Sequence, residues 1–428
     1  MMRASEAPDH GLSAVTVAVP AEAADQLLAL VPDDQPVSWV RRGEGLVGWG
    51  VAALLRTSGA TRFADAAKWW TELVARSTVE DPVGEPGTGL VAFGSFAFAD
   101  SPGDSVLQVP AVVVGRRGKT AWVTRISTAG ATDLSPDATD LPPDLLEHAE
   151  RALDPREVVF GDGALDGERW MSAVTEAVSR ISRGDLEKVV LARDLIATSA
   201  TPVDVRAPLT RLAATYPMCW TFHVDGLFGA TPELLVRRER GLVTSRVLAG
   251  TIRRTGDDEH DLALAATLAR SSKDLEEHEY AVRSVADAFE PHCSSMNVPE
   301  APFVLHLPNV MHLATDVTGV VRDGISSVQL AEALHPSAAV GGTPREDAVA
   351  LIAEIEGMDR GRYAGPVGWL DASGDGEWGI ALRSASISED RHTLRLYAGC
   401  GIVGSSDPAA ELAESQAKLV PIRDALTS

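Results

Sequence analysis

Cysteine is scarce in this sequence, and the positions of the few that occur exclude several kinds of site. The 428 residues contain three cysteines, Cys219, Cys293 and Cys400. They form no CxxC pair and no even set, which argues against structural zinc and against a disulfide framework. Such usage is typical of a reducing compartment, so we expect a cytoplasmic protein.

Long apolar runs are also missing. No stretch reaches the roughly 18 consecutive apolar residues that a membrane-spanning helix requires. The N-terminal segment MMRASEAPDHG lacks the apolar centre of a secretory signal peptide. The sequence therefore predicts neither a membrane span nor a membrane partner.

The chain has fewer positively than negatively charged residues, and this limits the kinds of partner that it can bind. The chain has 38 Lys and Arg residues against 61 Asp and Glu residues, and a formal net charge of −23. A surface of this sign repels the phosphates of nucleic acids, and no long basic stripe compensates for it. We predict no nucleic-acid partner, and any site for an anionic substrate must be built locally. Because no long exposed apolar helix is predicted either, we expect a monomer or a weak homo-oligomer.

The segments that are present favour a mixed α and β enzyme. In the N-terminal third, strands are predicted at 12–19, 106–115 and 120–126, with a helix at 60–76. Residues 127–155 are rich in Pro, Asp and Ser, which is typical of a loop. We therefore divide the chain into a variable N-terminal part (1–126), a loop-rich connection (127–164) and a catalytic region (165–428), the first and last belonging to one fold unit.

In the catalytic region, strand and helix patterns alternate irregularly, without the strict βαβ order of a doubly wound sheet. This indicates an α/β protein of the α+β or layered type. The predicted helices are 169–183, 207–216, 260–270, 273–289 and 408–426. The predicted strands are 189–196, several short ones within 219–236, 242–248, 312–321, 366–371, 378–387 and 393–398.

A GxGxxG motif at Gly399, Gly401 and Gly404 does not predict a dinucleotide site. The following helix begins near Pro408, too late for the third glycine to lie in its first turn, and no second strand follows to carry a ribose-binding acid. A glycine-lined turn is one interpretation. The other is that bare backbone N–H groups near a helix start hold a carboxylate.

Two ionisable residues lie at the edges of apolar segments. Lys188 opens the run KVVLARDL, which is apolar on both faces and predicts a buried strand. Partial burial of an ammonium favours its neutral form, which can act as a base. Glu233 in FGATPELLV has apolar neighbours that would raise its pKa and make it an acid. A solvated strand-end lysine and a glutamate at an exposed turn are the alternatives.

Acidic residues cluster on two predicted helices. Glu276, Glu277 and Glu279 lie within one turn, which is typical of a solvated face but also presents oxygen ligands to a hard cation. Glu411 and Glu414 share one face of the last helix at the i, i+3 spacing. Helix capping by Asp407, together with an ion pair between Glu414 and Lys418, explains that second cluster equally well.

Taken together, the segments from about residue 165 to 426 resemble the chorismate-utilising enzymes. The motifs that carry the resemblance occur in order: EKVVLAR, FGATPELL, LAGT, SSKDLEEHEYAV, HLAT, LHPSAAVGGTP, DRGRYAGPVGW, GEWGIALRSA, LYAGCGIV and ELAESQAKL. The resemblance implies a single unit of two stacked, mostly antiparallel β-sheets with helices packed outside, and a substrate cleft toward one edge.

The resemblance also implies roles for individual residues. Lys188 matches the lysine that activates water for attack at C2 of chorismate, and Glu233 matches the acid that protonates the departing C4 hydroxyl. Glu277 and Glu414 match ligands of Mg²⁺, with Glu411 beside them. The positions that match substrate-contacting groups are Arg383, Lys418, the amide of Gly399, His312, Tyr363, and Ala249, Gly250 and Thr251 of the LAGT motif.

Within the family, the finer pattern is closest to the isochorismate synthases. Members that add ammonia typically lack a lysine at the position of Lys188, and aminodeoxychorismate synthase has a reactive lysine where this chain has Ala249. Salicylate synthase and an anthranilate synthase component I-like enzyme stay open as alternatives. The resemblance thus implies magnesium as cofactor and chorismate as the small-molecule substrate.

Overall fold

The structure, a computed structural model, describes residues 11–33, 35–101, 103–128, 152–306, 310–322 and 324–427, leaving out the side chains of Lys273 and Glu277. Most of the segment 127–155, predicted to be a loop, lies outside the described residues. Among the described strands, every pairing is antiparallel apart from that of Leu12–Val19 with Thr78–Glu80.

The described strands form two large sheets. The first sheet has the spatial order β10 (Val159–Asp162), β11 (Lys188–Thr198), β23 (Thr393–Ile402), β22 (Ser384–Ile387), β13 (Leu227–Thr231), β12 (Trp220–Val224), β2 (Val37–Arg41), β3 (Glu44–Trp49), β8 (Val112–Arg117), β9 (Thr120–Thr128), β1 (Leu12–Val19) and β5 (Thr78–Glu80), with β19 (Gly342–Thr343) on β11. The second has the order β16 (Cys293–Asn297), β18 (Val310–Val321), β15 (Leu242–Arg253), β14 (Leu234–Glu239), β21 (Gly376–Ile380), β20 (Pro366–Asp371), β6 (Val91–Ser95), β7 (Ser105–Val109) and β4 (Ala53–Thr57), with β17 (Phe303–His306) on β18.

Helices cover the sheets. They are α1 (Arg62–Arg76), α2 (Gly167–Ser182), α3 (Arg206–Thr215), α4 (Asp258–Leu268), α5 (Ser272–Phe289), α6 (Ser327–Leu334), α7 (Arg345–Ile355) and α8 (Pro408–Thr427), with short 3₁₀ turns at Ala21–Ala24, Leu27–Leu30 and Glu290–His292. α8 packs on β23 of the first sheet, and α5 packs on β15 and β18 of the second. No helix of the described chain is both long and apolar enough to cross a bilayer.

N-terminal strands are built into both sheets beside C-terminal ones. In the first sheet β2 pairs with β12, and in the second β6 pairs with β20. The apolar core between the sheets contains residues from both parts, among them Trp39, Phe93 and Trp378, each at most 2% exposed. A side chain cannot be added at Gly94 of β6, because its Cβ would lie 2.7 Å from the Trp378 ring.

Local sequence signals explain how β11 is held. Asp166 caps α2 by accepting the amide proton of Arg169 at 2.8 Å, which satisfies one of the free N–H groups at a helix start. The apolar face of α2 is buried, and the indole N–H of its Trp170 donates to the carbonyl of Ala192 on β11 at 3.1 Å. α2 therefore fixes the strand whose first residue is Lys188.

Candidate active site

One cavity of about 220 Å³ collects residues from distant parts of the chain. We call it the central cavity. Its walls include eleven of the residues singled out in the sequence: Lys188, Glu233, Ala249, Gly250, Thr251, His312, Tyr363, Arg383, Gly399, Glu414 and Lys418. Spacing along the chain does not reveal this convergence, because the cavity is closed by both sheets and by α8.

Lys188 enters the central cavity from the start of β11. The strand pairs with β23, so that Val190 lies opposite Gly401 and Ala192 opposite Gly399. A Cβ at Gly401 would lie 3.1 Å from Cε of Lys188. The glycine therefore leaves room for the lysine side chain, whose amine faces the same space as the other cavity groups.

Glu233 lies between β13 and β14, and it is the most electrostatically perturbed carboxyl of the cavity. Its residue is 7% exposed, and its backbone is fixed because its carbonyl accepts the amide proton of Ile380 at 3.1 Å. Burial raises the pKa of this carboxyl to about 8, although Lys188, Arg383 and Lys418 favour the charged form. At neutral pH the group is a carboxylic acid, as expected from its apolar neighbours.

His312 and the LAGT segment form one wall. The strand pairing between β15 and β18 shifts register between Ala249 and Thr251, and Gly250 adopts a φ of 75°. Such bulges redirect side chains beside binding sites. The hydroxyl of Thr251 lies 2.9 Å from Nδ1 of His312. Burial, then Arg383 and Lys418, lower the pKa of this histidine to about 3, so its ring is neutral.

The other ring nitrogen of His312 is available to a ligand. Nε2 is buried and has no hydrogen-bond partner among the described residues. An unsatisfied buried polar atom costs about 1–3 kcal/mol. A substrate that enters the central cavity and bonds to this nitrogen would remove that cost, which supports the assignment of His312 to substrate contact.

Tyr363 is positioned by stacking. Its ring lies on that of Tyr397 with centroids 4.9 Å apart and an angle of 10° between the planes. Its hydroxyl would be only 3.0 Å from a Cβ at Gly399. Gly399 therefore makes space for the phenol, as Gly401 does for Lys188. The GxGxxG motif thus lies mainly on a strand, β23, and α8 starts only at Pro408.

Two cations, Arg383 and Lys418, line the central cavity. Lys418 of α8 donates to the carbonyl of Gly399 at 2.8 Å and pairs with Glu414 at 2.6 Å. Arg383, between β21 and β22, has a φ of 48°. This left-handed conformation is unusual for a residue with a side chain. It persists between two anchored strands, and strain of this kind is concentrated at functional sites.

The acidic groups of α8 fit a hard cation. Donor atoms of Glu411, Glu414 and Cys400 lie within 4.8 Å of one another. Burial raises the pKa of the Cys400 thiol to about 12, so this sulfur stays protonated and is a poor ligand for Mg²⁺. The two carboxylates are the oxygen donors that Mg²⁺ prefers. Glu277 lies on α5, but its side chain is outside the described residues.

Sequence reasoning missed several residues of the site. Asp274, in the first turn of α5, lines the central cavity and would contact a Cβ at Gly250. Arg360 also lines it, donates to the carbonyls of Val190 at 2.7 Å and Val340 at 2.8 Å, and forms a fully buried ion pair with Glu356. The i, i+4 spacing of Glu356 and Arg360 is visible in the sequence and is compatible with an ion pair. The burial of that pair is not visible in the sequence.

Three comparisons bear on this site. Residues 12–427 match the family model of the chorismate binding enzymes. The chain is 32% identical to the isochorismate synthase MenF of Bacillus subtilis over 407 residues, covering 89% of this chain and 85% of that protein. It is 35% identical to the salicylate biosynthesis isochorismate synthase of Pseudomonas aeruginosa over 413 residues, covering 91% and 84%. Its fold matches the menaquinone-specific isochorismate synthase MenF of Escherichia coli with a TM-score of 0.79 and 25% identity, covering 100% of this chain and 96% of that one.

Proposed function

Because this chain belongs to the chorismate-binding enzyme family, we propose that it isomerises chorismate to isochorismate. The observation that carries the proposal is the presence, in one cavity, of a lysine amine and a protonated glutamate. Relatives named isochorismate synthase that align with most of the chain support the same reaction.

The reaction needs a base and an acid at the two ends of one allylic system. A water oxygen forms a bond to C2, the C4–O bond breaks, and the double bonds between them shift. Water is a poor nucleophile and hydroxide a poor leaving group, so general base and general acid catalysis address both problems. In our proposal Lys188 takes the proton from water and Glu233 gives one to the departing oxygen, and the product is an isomer of the substrate.

The protonation state of Glu233 supports this assignment. A carboxyl with an ordinary pKa would be ionised at neutral pH and could not donate a proton. Burial supplies the required neutral form, by the same physics that keeps other enzymatic carboxylic acids protonated. For the return reaction the lysine and the glutamate exchange roles, which requires both to be able to gain and lose a proton.

Cations and a metal hold the substrate in this proposal. Arg383 and Lys418 bind the two carboxylates of chorismate, since arginine grips a carboxylate bidentately. Glu414 and Glu411, with Glu277 from α5, would hold Mg²⁺. When bound, the ion would neutralise a substrate carboxylate and orient the ring. His312, Tyr363 and the LAGT segment would line the ring.

Incubation of the purified chain with chorismate and Mg²⁺, followed by chromatography of the products, tests the function. We expect isochorismate as the product without added ammonia. Salicylate with pyruvate would indicate a salicylate synthase, and an aminated product formed only with ammonia would indicate anthranilate-type chemistry. Unchanged chorismate would contradict the proposal.

Replacing Glu414 by Gln should weaken magnesium binding. Changes to groups that merely support a metal ligand cost about 10–100-fold in affinity, so loss of a direct ligand should cost at least tenfold. Calorimetric titration of the substrate-free protein with Mg²⁺ measures this without relying on turnover. Glu354→Gln, an exposed glutamate of α7 that pairs with Arg180, is the matched control. Equal magnesium affinity in the two variants would remove Glu414 from the metal site.

The rate of chorismate conversion should fall in alkaline solution. Glu233 must be protonated to act as the acid, and its pKa is about 8. We therefore expect kcat/KM for chorismate to decline as the pH rises through about 8, because kcat/KM reports the ionisation of the free enzyme. The measurement is a pH profile at saturating Mg²⁺. A rate that declined only above the pH range of Glu233 would show that another group is the acid.

A further inference from the structure

The edge of β11 that faces away from β23 is interrupted just after Lys188. On this edge β19 pairs with Lys188 and Val189, and β10 pairs with residues 195–198. Within the part of the chain that the structure describes, no strand lies opposite residues 190–194 on that edge. Buried backbone N–H and C=O groups require partners, so those of the gap must be satisfied by something other than a strand.

A buried pair of side chains fills this gap. Nη2 of Arg360 donates to the carbonyl of Val190 at 2.7 Å, and Oε1 of Glu356 accepts the amide proton of Ala192 at 2.7 Å. The amide of Val190 donates to the carbonyl of Gly341 at 2.8 Å. In an antiparallel ladder the N–H and C=O of one residue bond on the same side of the strand. The ion pair therefore takes the place of a neighbouring strand at these two residues.

Arg360 also connects β11 to the segment that lies along its first residues. Its Nη1 donates to the carbonyl of Val340 at 2.8 Å, shortly before β19 pairs with Lys188. The two backbones are in close contact there, since a Cβ at Gly342 would lie 2.2 Å from the carbonyl oxygen of Lys188. One guanidinium thus joins the two segments that hold the backbone of Lys188.

The N-terminal part of the chain fixes the plane of this guanidinium. The group lies 4.1 Å from the ring centre of Phe98, a residue that is 4% exposed. The amide of Phe98 donates to the carbonyl of Gly361, the residue after Arg360, at 2.9 Å. A cation over an aromatic face is held by electrostatic attraction and by packing. Arg360 is therefore held from its face by Phe98 and from its edge by Glu356.

Arg360 lines the central cavity but does not offer its charge to a substrate. Its Nε bonds once, its Nη1 once and its Nη2 twice, which engages four of the five N–H groups of a guanidinium. Glu356 neutralises it, and its side chain is 2% exposed, against 22% for that of Lys418. Its influence on the reaction must therefore pass through the backbone of β11.

We propose that Arg360, supported by Glu356, is a positioning residue that fixes the amine of Lys188 in the central cavity. The proposal rests on the function proposed above, in which Lys188 takes a proton from water. Lys188 is the first residue of β11, so its side chain projects from the stretch of strand that the ion pair holds. Without the pair the amine would be displaced from the water, and a displacement of about 1 Å can cost about 100-fold in rate.

Glu356→Gln combined with Arg360→Met tests the proposal without leaving a buried charge unpaired. The glutamine still accepts the amide proton of Ala192, and the methionine fills a similar length, but the carbonyls of Val190 and Val340 lose their donor. We expect kcat for isochorismate formation to fall at least about tenfold, with the KM for chorismate within about threefold of the wild type, because the substrate contacts are unchanged.

The same two changes in a Lys188→Ala background separate positioning from a general structural effect. If the pair acts through the amine, the residual kcat should change by less than about twofold once the amine is gone, since residues that act as a unit are not additive. Asp204→Asn combined with Arg206→Met is the matched control. The side chains of this other ion pair are 6% and 10% exposed and lie outside the central cavity, so kcat should equal that of the wild type.

Hydrogen exchange reads the state of the strand without turnover. In the Glu356→Gln, Arg360→Met variant the amides of residues 190–192 should lose protection, whereas those of residues 196–198, which β10 holds, should keep it. Unchanged protection at residues 190–192 overturns the proposal, whatever the activity. Absence of isochorismate formation by the wild type contradicts the proposed function instead, so the two failures are distinguishable.

Three kinetic results would also overturn the proposal. They are an unchanged kcat in the double variant, an equal fall of kcat in the Lys188→Ala background, and an equal fall in the control. Thermal unfolding establishes that folded proteins are compared. If the double variant does not fold, Arg360→Lys carries the test, because it keeps the charge beside Glu356 but replaces the planar fork by one nitrogen. Its kcat should fall severalfold, and a wild-type kcat would overturn the proposal.

Discussion

Replacing Lys188 by Ala should reduce the turnover of chorismate by about 10²–10⁴-fold, the usual contribution of a general base. The lysine lines the central cavity at the start of a strand that is anchored on both sides. Its loss removes the amine without removing a buried core side chain, so the fold should persist. Steady-state kinetics should show the effect in kcat, with the KM for chorismate changed little.

Two further variants separate the role of Lys188 as a base from a role as a charge. Lys188→Arg keeps the positive charge, but an arginine is not deprotonated near neutral pH. This variant should therefore be as slow as Lys188→Ala. Lys68→Ala, an exposed lysine of α1, should be as fast as the wild type. Near-normal turnover by Lys188→Ala would mean that water is activated by another group.

Replacing Glu233 by Gln should have two effects of opposite sign. Turnover should fall by about 10²–10⁴-fold, because an amide cannot deliver the proton. In alkaline solution the free energy of unfolding of the variant should be higher than that of the wild type. Between its unfolded pKa of 4.5 and its folded pKa of about 8, Glu233 binds a proton in the folded state that the unfolded state has released. The stability of the wild type therefore falls as the pH rises through this range.

Glutamine carries no such proton, so its contribution does not change with pH. One pKa unit corresponds to roughly 1.4 kcal/mol. The free energy of unfolding of Glu233→Gln, relative to that of the wild type, should therefore grow by a few kcal/mol as the pH is raised from about 6 to 8. Urea unfolding at the two pH values measures it. Glu332→Gln, a half-buried glutamate of α6 whose pKa is also raised by burial, lies outside the central cavity and should keep full turnover. A stability difference that did not change with pH would show that Glu233 is already ionised.

The secondary structure of the catalytic region follows closely from local patterns. The strand predicted at 366–371 has those limits, and the helix predicted at 408–426 runs over Pro408–Thr427. The capping signal at Asp407 is real, since its carboxylate accepts the amide proton of Ala410 at 2.8 Å. The strand predicted at 106–115 is in fact two, Ser105–Val109 and Val112–Arg117, separated by Pro110.

Elements with weak periodicity were missed. α6 and α7 are short helices whose apolar residues face the core. β2 and β6 are short strands buried on nearly every residue, and β3 and β4 are short strands that are only partly buried. A short apolar run does not distinguish a buried strand from a buried helix. The pairing of β2 with β12 and of β6 with β20 depends on tertiary packing, which no local pattern contains.

The candidate site was predictable only as a set of residues. The resemblance named Lys188, Glu233, Arg383 and Lys418, whereas each by itself was compatible with a solvated surface position. The perturbed pKa values of Glu233 and His312 arise from burial by strands that are distant in sequence.

The interleaving of N-terminal and C-terminal strands has a consequence for synthesis of the chain. Val91–Ser95 is buried at every position, and one of its two neighbours in the sheet is Pro366–Asp371. During translation this apolar strand emerges long before that partner exists, so for most of elongation one edge stays open. An exposed apolar edge is a template for pairing with other chains, and non-local pairing of this kind is slow. A nascent or truncated chain that ends before Pro366 should therefore depend on chaperones to stay soluble, a need that the completed protein no longer has.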